Sequence, residues 1–200
     1  MDSEHTDTTE TCPITDIGKY KPYLTVLAVA LFQKTGIQRS YSNKIEIEDI
    51  VQETLLKAWE KRRTFSGRTD RELRVWLRTT LANLITDKIR GLGTEKRDVR
   101  KEIQLNLDRS SQNLEELLID RQTATPSTLA CRREETNRLC EAILRLRPTT
   151  QAVILARHIE GKTFREIGTS IGKTREAVTK IWARGLVELQ FFLGKEGKNA

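Results

Sequence analysis

Histidine and cysteine are scarce in this chain of 200 residues. Its two histidines are His5 and His158, and its three cysteines are Cys12, Cys131 and Cys140. No pair has metal-ligand spacing, and an odd, scattered set gives no disulfide framework. Long apolar runs are also missing. The run from Leu24 to Phe32 is about nine residues, well short of the roughly 20 that span a bilayer. Residues 1–16 contain five acids and no Lys or Arg, so the basic start of a signal peptide is absent. No segment alternates as a half-buried strand does. These absences point to an all-helical, soluble, cytoplasmic protein with no metal, no cofactor and no membrane insertion.

Charge is abundant and unevenly placed. Apolar residues make up 37% of the chain and charged residues 32%, with a formal net charge of +7. Residues 61–101 carry 13 basic and 5 acidic side chains, and residues 161–200 carry 8 and 4. Residues 102–145 are slightly acidic, with 6 basic and 8 acidic. Two basic lobes around an acidic middle suggest two sites on one polyanion.

The periodicity predicts a succession of helices. Residues 1–16 read as a disordered acidic tail. Tyr20, Tyr23, Leu24, Leu27, Ala28, Leu31 and Phe32 recur at helical spacing over 17–35. A second helix runs from about Ile47 to Arg63. Its inward stripe is Ile47, Ile50, Val51, Leu55, Ala58 and Trp59, and its outward face is Asp49, Gln52, Glu53, Leu56 and Lys57. A loop from Phe65 to Asp70 follows, turning at Gly67. A third helix runs from about Arg71 to Arg90, with Leu73, Trp76, Leu77, Thr80, Leu81 and Leu84 inward and Arg71, Arg74 and Arg78 outward. Three such helices close one small domain over 17–92. Residues 93–134 read as a partly ordered linker in which Leu114, Leu117 and Leu118 allow one short helix.

Residues 135–193 form a second helical domain, and 194–200 a tail. Pro148 suits a first helical turn. Thr163-Phe164-Arg165-Glu166 is a capping box, Gly172 permits a tight turn, and Thr174 can cap the last helix. A helix of about eight residues, a glycine turn and a longer helix with a polar outer face is helix-turn-helix spacing. The second helix would enter a major groove. Arg175, Thr179 and Lys180 reach bases or phosphates from one face, and Lys173 and Thr174 hold a phosphate at the helix start. Glu176 either accepts from a cytosine amino group or favours the helix N-terminus electrostatically.

Three blocks together resemble the sigma-70 family of bacterial RNA polymerase sigma factors, in its extracytoplasmic-function group. They are Asp49-Ile50-Val51-Gln52-Glu53-Thr54-Leu55-Leu56-Lys57-Ala58-Trp59; Trp76-Leu77 through Ala82-Asn83 to Asp87-Lys88-Ile89-Arg90; and Leu146-Arg147-Pro148 through Gly161 to Gly168. The resemblance implies a specificity subunit with no catalytic site of its own. Asp49, Gln52, Glu53 and Leu56 would dock on the clamp helices of the core polymerase's largest subunit. Phe65, Arg68, Arg71, Arg74, Arg78 and Asn83 would meet the minus-ten element, with a flipped base held by the loop Phe65 to Arg71. Lys173, Thr174, Arg175, Glu176, Thr179 and Lys180 would meet the minus-thirty-five element of promoter DNA. An anti-sigma factor is a further partner that the family implies. The chain departs from the family pattern in a longer loop after Phe65 and in Thr179-Lys180-Ile181, where many members carry a serine-arginine pair. The rival reading is a stand-alone helix-turn-helix regulator, which leaves the Asp49, Gln52 and Glu53 face idle. An enzyme would need a carboxylate cluster or nucleophile–base pair, and none is placed by the sequence.

Overall fold

The computed structural model describes residues 14–35, 46–67, 69–91, 99–119 and 129–196. The tail over 1–13, Arg68 and the segments 36–45, 92–98, 120–128 and 197–200 lie outside the described residues. A 3₁₀ turn, Ile14–Tyr20, leads into α1, Lys21–Thr35. Then come α2, Ile47–Glu60, α3, Asp70–Gly91, and α4, Val99–Ile119. The second half contains α5, Leu129–Arg145, and α6, Pro148–Ile154, which runs on as a π turn, Leu155–Ile159. It ends with α7, Phe164–Ile171, and α8, Arg175–Glu196. Among the described residues every regular element is helical.

The first helix is central because it is apolar almost all round. Tyr23, Leu24, Val26, Leu27, Ala28, Ala30, Leu31 and Phe32 are all buried, as is Tyr20 just before the helix. A helix with that composition has no face to give to water, so neighbours must surround it. Helices α2, α3, α4 and α5 and the π turn all pack against it. One continuous core runs from Ile17 to Leu189 and joins the two halves of the chain. A second, smaller core of Val153, Ala156, Ile167 and Val178 holds the helix-turn-helix to α6.

The middle of the chain is more ordered than its polarity suggests. The expected short helix is instead α4, 21 residues long and packed on α3 and α1. Its buried residues include Ile103, Asn106, Leu107, Ser110, Ser111 and Leu114. Serine and asparagine stand in the inner stripe, so apolar periodicity alone under-reads it. Asn113 Nδ2 donates to the Ile159 carbonyl at 2.7 Å, and Lys34 Nζ to Asn106 Oδ1 at 2.9 Å.

Polar partners in α4 and α5 also explain the largest difference from the sequence reading. Arg74 and Arg78, expected outward against phosphates, are each only 9% exposed. Arg74 Nε donates to Asp70 Oδ2 at 2.7 Å and Nη1 to Thr136 Oγ1 at 3.3 Å, while Tyr20 also donates to Asp70. Arg78 Nε donates to Asp108 Oδ1 at 2.8 Å, and Nη1 to the Tyr23 hydroxyl at 2.9 Å and Ser111 Oγ at 3.1 Å. Burial raises the Tyr23 phenol's pKa, opposed by the positive charge of Arg78. A guanidinium taken from water needs such partners, and both find them inside the protein.

Trp59, expected inward, is 45% exposed. The Arg62 guanidinium stacks 4.1 Å from its ring centroid, a cation–π contact that lets the indole lie outside the core.

Replacing Arg78 by Ala should lower the unfolding free energy by about 2–3 kcal/mol, since Tyr23 and Ser111 lose a buried partner and Asp108 a half-buried one. Urea denaturation checks this; an Arg78 serving only a phosphate would leave stability unchanged.

Candidate nucleic-acid interface

Three outward surfaces stand on this frame. The first is the exposed side of α2. Asp49 and Gln52 are exposed, and Leu56 is 57% exposed. With Trp59 they recur at three- and four-residue steps, so they form one line down the helix. An exposed leucine and tryptophan flanked by polar groups suit a protein partner better than a phosphate backbone. Glu53, assigned to the same face by its sequence position, is only half exposed. Its two oxygens hold Lys57 Nζ at 3.1 Å and Lys88 Nζ at 3.0 Å, tying α2 to α3. Lys88, then Lys57, hold its carboxyl below the usual carboxylate range.

The second surface is a cleft of about 470 Å³ between α2, α3 and the start of α4. Lys57, Lys61, Arg90 and Arg100 bring positive charge to it, against Glu60 and Asp87. Trp76 and Asn83 line its floor, and Asn83 Oδ1 is buried with no hydrogen bond among the described residues. Phe65 packs on Trp76, with ring centroids 5.0 Å apart. A second capping box starts α3: the Thr69 N–H donates to Glu72 Oε2 at 2.9 Å, and the Glu72 N–H to Thr69 Oγ1 at 3.2 Å. It fixes the chain directly after the loop. Arg71 is exposed beside it. Of the six residues expected at the minus-ten element, Asn83 lines the cleft and Phe65 packs against its floor. Arg71 faces solvent, Arg74 and Arg78 are internal, and Arg68 lies outside the described residues. Lys57, Lys61, Arg90 and Arg100 are the basic groups at the cleft that the outward-face pattern of α3 did not select. Arg100 lies within the segment 93–134 that read as a linker.

The third surface is the helix-turn-helix, and its local signals agree with the expected design. Thr163 and Glu166 form the capping box, with the Thr163 N–H donating to Glu166 Oε2 at 2.7 Å. That backbone contact, then the Thr163 hydroxyl, lower the Glu166 pKa. Gly172 takes the left-handed conformation with φ 66°. A Cβ on Gly168 would lie 2.5 Å from the Lys173 carbonyl oxygen, so only glycine admits this tight turn. Thr174 Oγ1 accepts from the Ala177 N–H at 3.2 Å and caps α8. Lys173, Thr174, Arg175, Glu176 and Lys180 are all exposed. Thr179 is half-buried and donates its hydroxyl to the Arg175 carbonyl at 2.9 Å, leaving that oxygen's lone pairs for a ligand. Arg184 is exposed one turn beyond Lys180 and extends the same basic line. Only Glu176 interrupts the positive charge of this face.

Two family models match the chain in this order. Sigma-70 region 2 covers residues 20–94, and Sigma-70 region 4 covers residues 142–190. The chain belongs to the sigma-70 family. Region 2 contains the α2 face and all of the cleft lining except Arg100, and region 4 contains the helix-turn-helix. The ECF RNA polymerase sigma factor SigG of Mycobacterium tuberculosis, in two strains, is 28% identical over 185 residues. That match takes in 85% of this chain and 46% of SigG, so the chain spans about half the length of the curated relatives it matches. Among solved structures, the sigma factor RpoE in complex with the anti-sigma factor NepR from Bartonella quintana is 19% identical. The match covers 90% of this chain and 95% of that one, at a TM-score of 0.33. Among the described residues no helix is long and apolar enough to cross a membrane.

The Glu53 bridge sets a pH dependence. Its folded-state pKa is lowered, so the stability it contributes is present above the ordinary carboxylate range and is lost as pH falls through the lowered value. Glu53→Gln should therefore lose less stability than the wild type between about pH 6 and about pH 3. Denaturant titrations at the two pH values check this.

Proposed function

We propose that this protein is a promoter-specificity subunit of bacterial RNA polymerase. It carries the minus-ten element on its cleft and the minus-thirty-five element on α8, and it docks on core polymerase through α2. One observation carries the reading: three separate faces of two chemical kinds point outward from a single frame. One is an apolar-centred protein face; the other two are basic. Asp49, Gln52, Leu56 and Trp59 are the proposed polymerase contacts, with Glu53 an internal strut rather than a contact. Asn83, with Trp76 and Phe65 beneath and Lys57, Lys61, Arg90 and Arg100 around it, is proposed to take unpaired bases and their backbone. Arg71 stands ready for a neighbouring phosphate. Lys173, Thr174, Arg175, Glu176, Thr179, Lys180 and Arg184 are proposed to meet duplex DNA.

The physical task is strand separation without chemistry. Unstacking a base costs a few kcal/mol. Aromatic floors and basic rims that favour the single strand offset that cost. A stand-alone regulator would need the helix-turn-helix alone and gives the α2 face no work. An anti-sigma partner is expected from the family alone.

Run-off transcription with bacterial core polymerase on a promoter library tests the function. Discrete starts that depend on the protein and share two upstream elements are expected; tight duplex binding without such starts would favour the stand-alone regulator. Leu56→Glu should weaken core binding at least tenfold, the size of one interface anchor, and leave the protein's duplex binding intact. Equal loss of both would argue against separate faces.

A further inference from the structure

Besides its apolar packing, the recognition helix contacts the rest of its domain through an aromatic relay that includes His158. Trp182, on the inner side of α8, donates its indole N–H to His158 Nε2 at 2.9 Å. The two rings lie nearly parallel, 21° apart, with centroids at 6.2 Å. Phe164, the first residue of α7, tilts against Trp182 with ring centroids 5.3 Å apart. The Arg157 guanidinium covers Phe164 at 4.9 Å, and its Nη1 donates to the Lys162 carbonyl at 3.1 Å. His158 lies within the π turn Leu155–Ile159, a rare helical irregularity.

Chemistry fixes the roles in the pair. An indole N–H only donates, so His158 Nε2 must be the acceptor. The apolar contacts of this small core, Val153, Ala156, Ile167 and Val178, hold α8 close but do not direct it. A hydrogen bond does, because it depends on angle as well as distance. The exposed residues Arg175, Glu176 and Lys180 stand on the same helix, from its first turn onward, and Lys173 lies just before it. A small rotation of α8 about its axis would carry all of them off their base edges together.

We infer that His158 is a positioning residue for duplex reading: as acceptor for Trp182 it fixes the rotation of α8, and so sets how sharply the helix-turn-helix discriminates its element. This rests on the proposed minus-thirty-five role of α8.

The test uses the full chain assembled with core polymerase. Promoter binding is measured on two templates that differ only in the minus-thirty-five element, one matched from the run-off library and one scrambled. The readout is the ratio of the two affinities, which a smaller folded fraction lowers on both templates alike and leaves unchanged. His158→Leu and Trp182→Phe should each reduce the ratio roughly fivefold, the size of one net hydrogen bond. The double variant should be no worse than either, because one bond is broken in all three. His158→Gln, which restores a neutral acceptor, should recover most of the ratio. Single variants with an unchanged ratio, losses that multiply in the double variant, or a Gln variant no better than Leu would each overturn the inference. A wild-type holoenzyme indifferent to the minus-thirty-five sequence would instead overturn the role of α8 itself, and the inference with it.

Discussion

Two buried guanidiniums set the geometry of this molecule. Arg74 and Arg78 project from the inner side of α3 into a polar seam shared by α1, α4 and α5. Each must be matched where it lies, because an uncompensated charge inside a protein costs several kcal/mol. Asp70, Asp108, Tyr23, Ser111 and Thr136 supply the match from four different helices. Hydrophobic contact alone would let those helices slide. The seam fixes their register instead, and with it the orientation of every outward face of α3.

The same constraint divides the labour along one helix. With its arginine side turned inward, α3 offers the other side, Trp76 and Asn83, to the cleft. Positive charge there comes from Lys57 and Lys61 on the α2 side, Arg90 at the helix end and Arg100 across it on α4. Glu53 stands between α2 and α3, and its two lysines hold the cleft wall at a fixed spacing. The exposed face of α2 and the cleft are therefore two sides of one pair of packed helices.

What was legible in the sequence was local. The helix-turn-helix could be read residue by residue, because a capping box, a left-handed glycine and a threonine cap act over three or four positions. The all-helical class and the buried side of α1 followed from periodicity. What failed depended on distant partners. Arginines at Arg74 and Arg78 look solvated until Asp108, Ser111 and Thr136 are known to lie opposite, some 30 to 62 residues away. Helix α4 was under-read for the complementary reason: its inner stripe carries the buried polar residues Asn106, Ser110 and Ser111, of which Asn106 meets Lys34 and Ser111 serves the seam. Trp59 was assigned inward by phase, yet a cation stacked on its face makes the surface an acceptable place for it. Asn83, expected at the minus-ten element, lines the cleft, but the basic groups around it come from three helices.

The central claim is that protein docking and duplex reading sit on different faces of one frame. Hydrogen–deuterium exchange measures this directly, comparing the free chain, the chain on core polymerase, and the holoenzyme on promoter DNA. The account predicts that core polymerase alone protects α2 around Gln52 and Leu56, and leaves the start of α8 around Lys173 to Lys180 exchanging as in the free chain. Protection at α8 should appear only when DNA with an intact minus-thirty-five element is added. Protection of α8 by core polymerase alone, with α2 unchanged, would contradict the account.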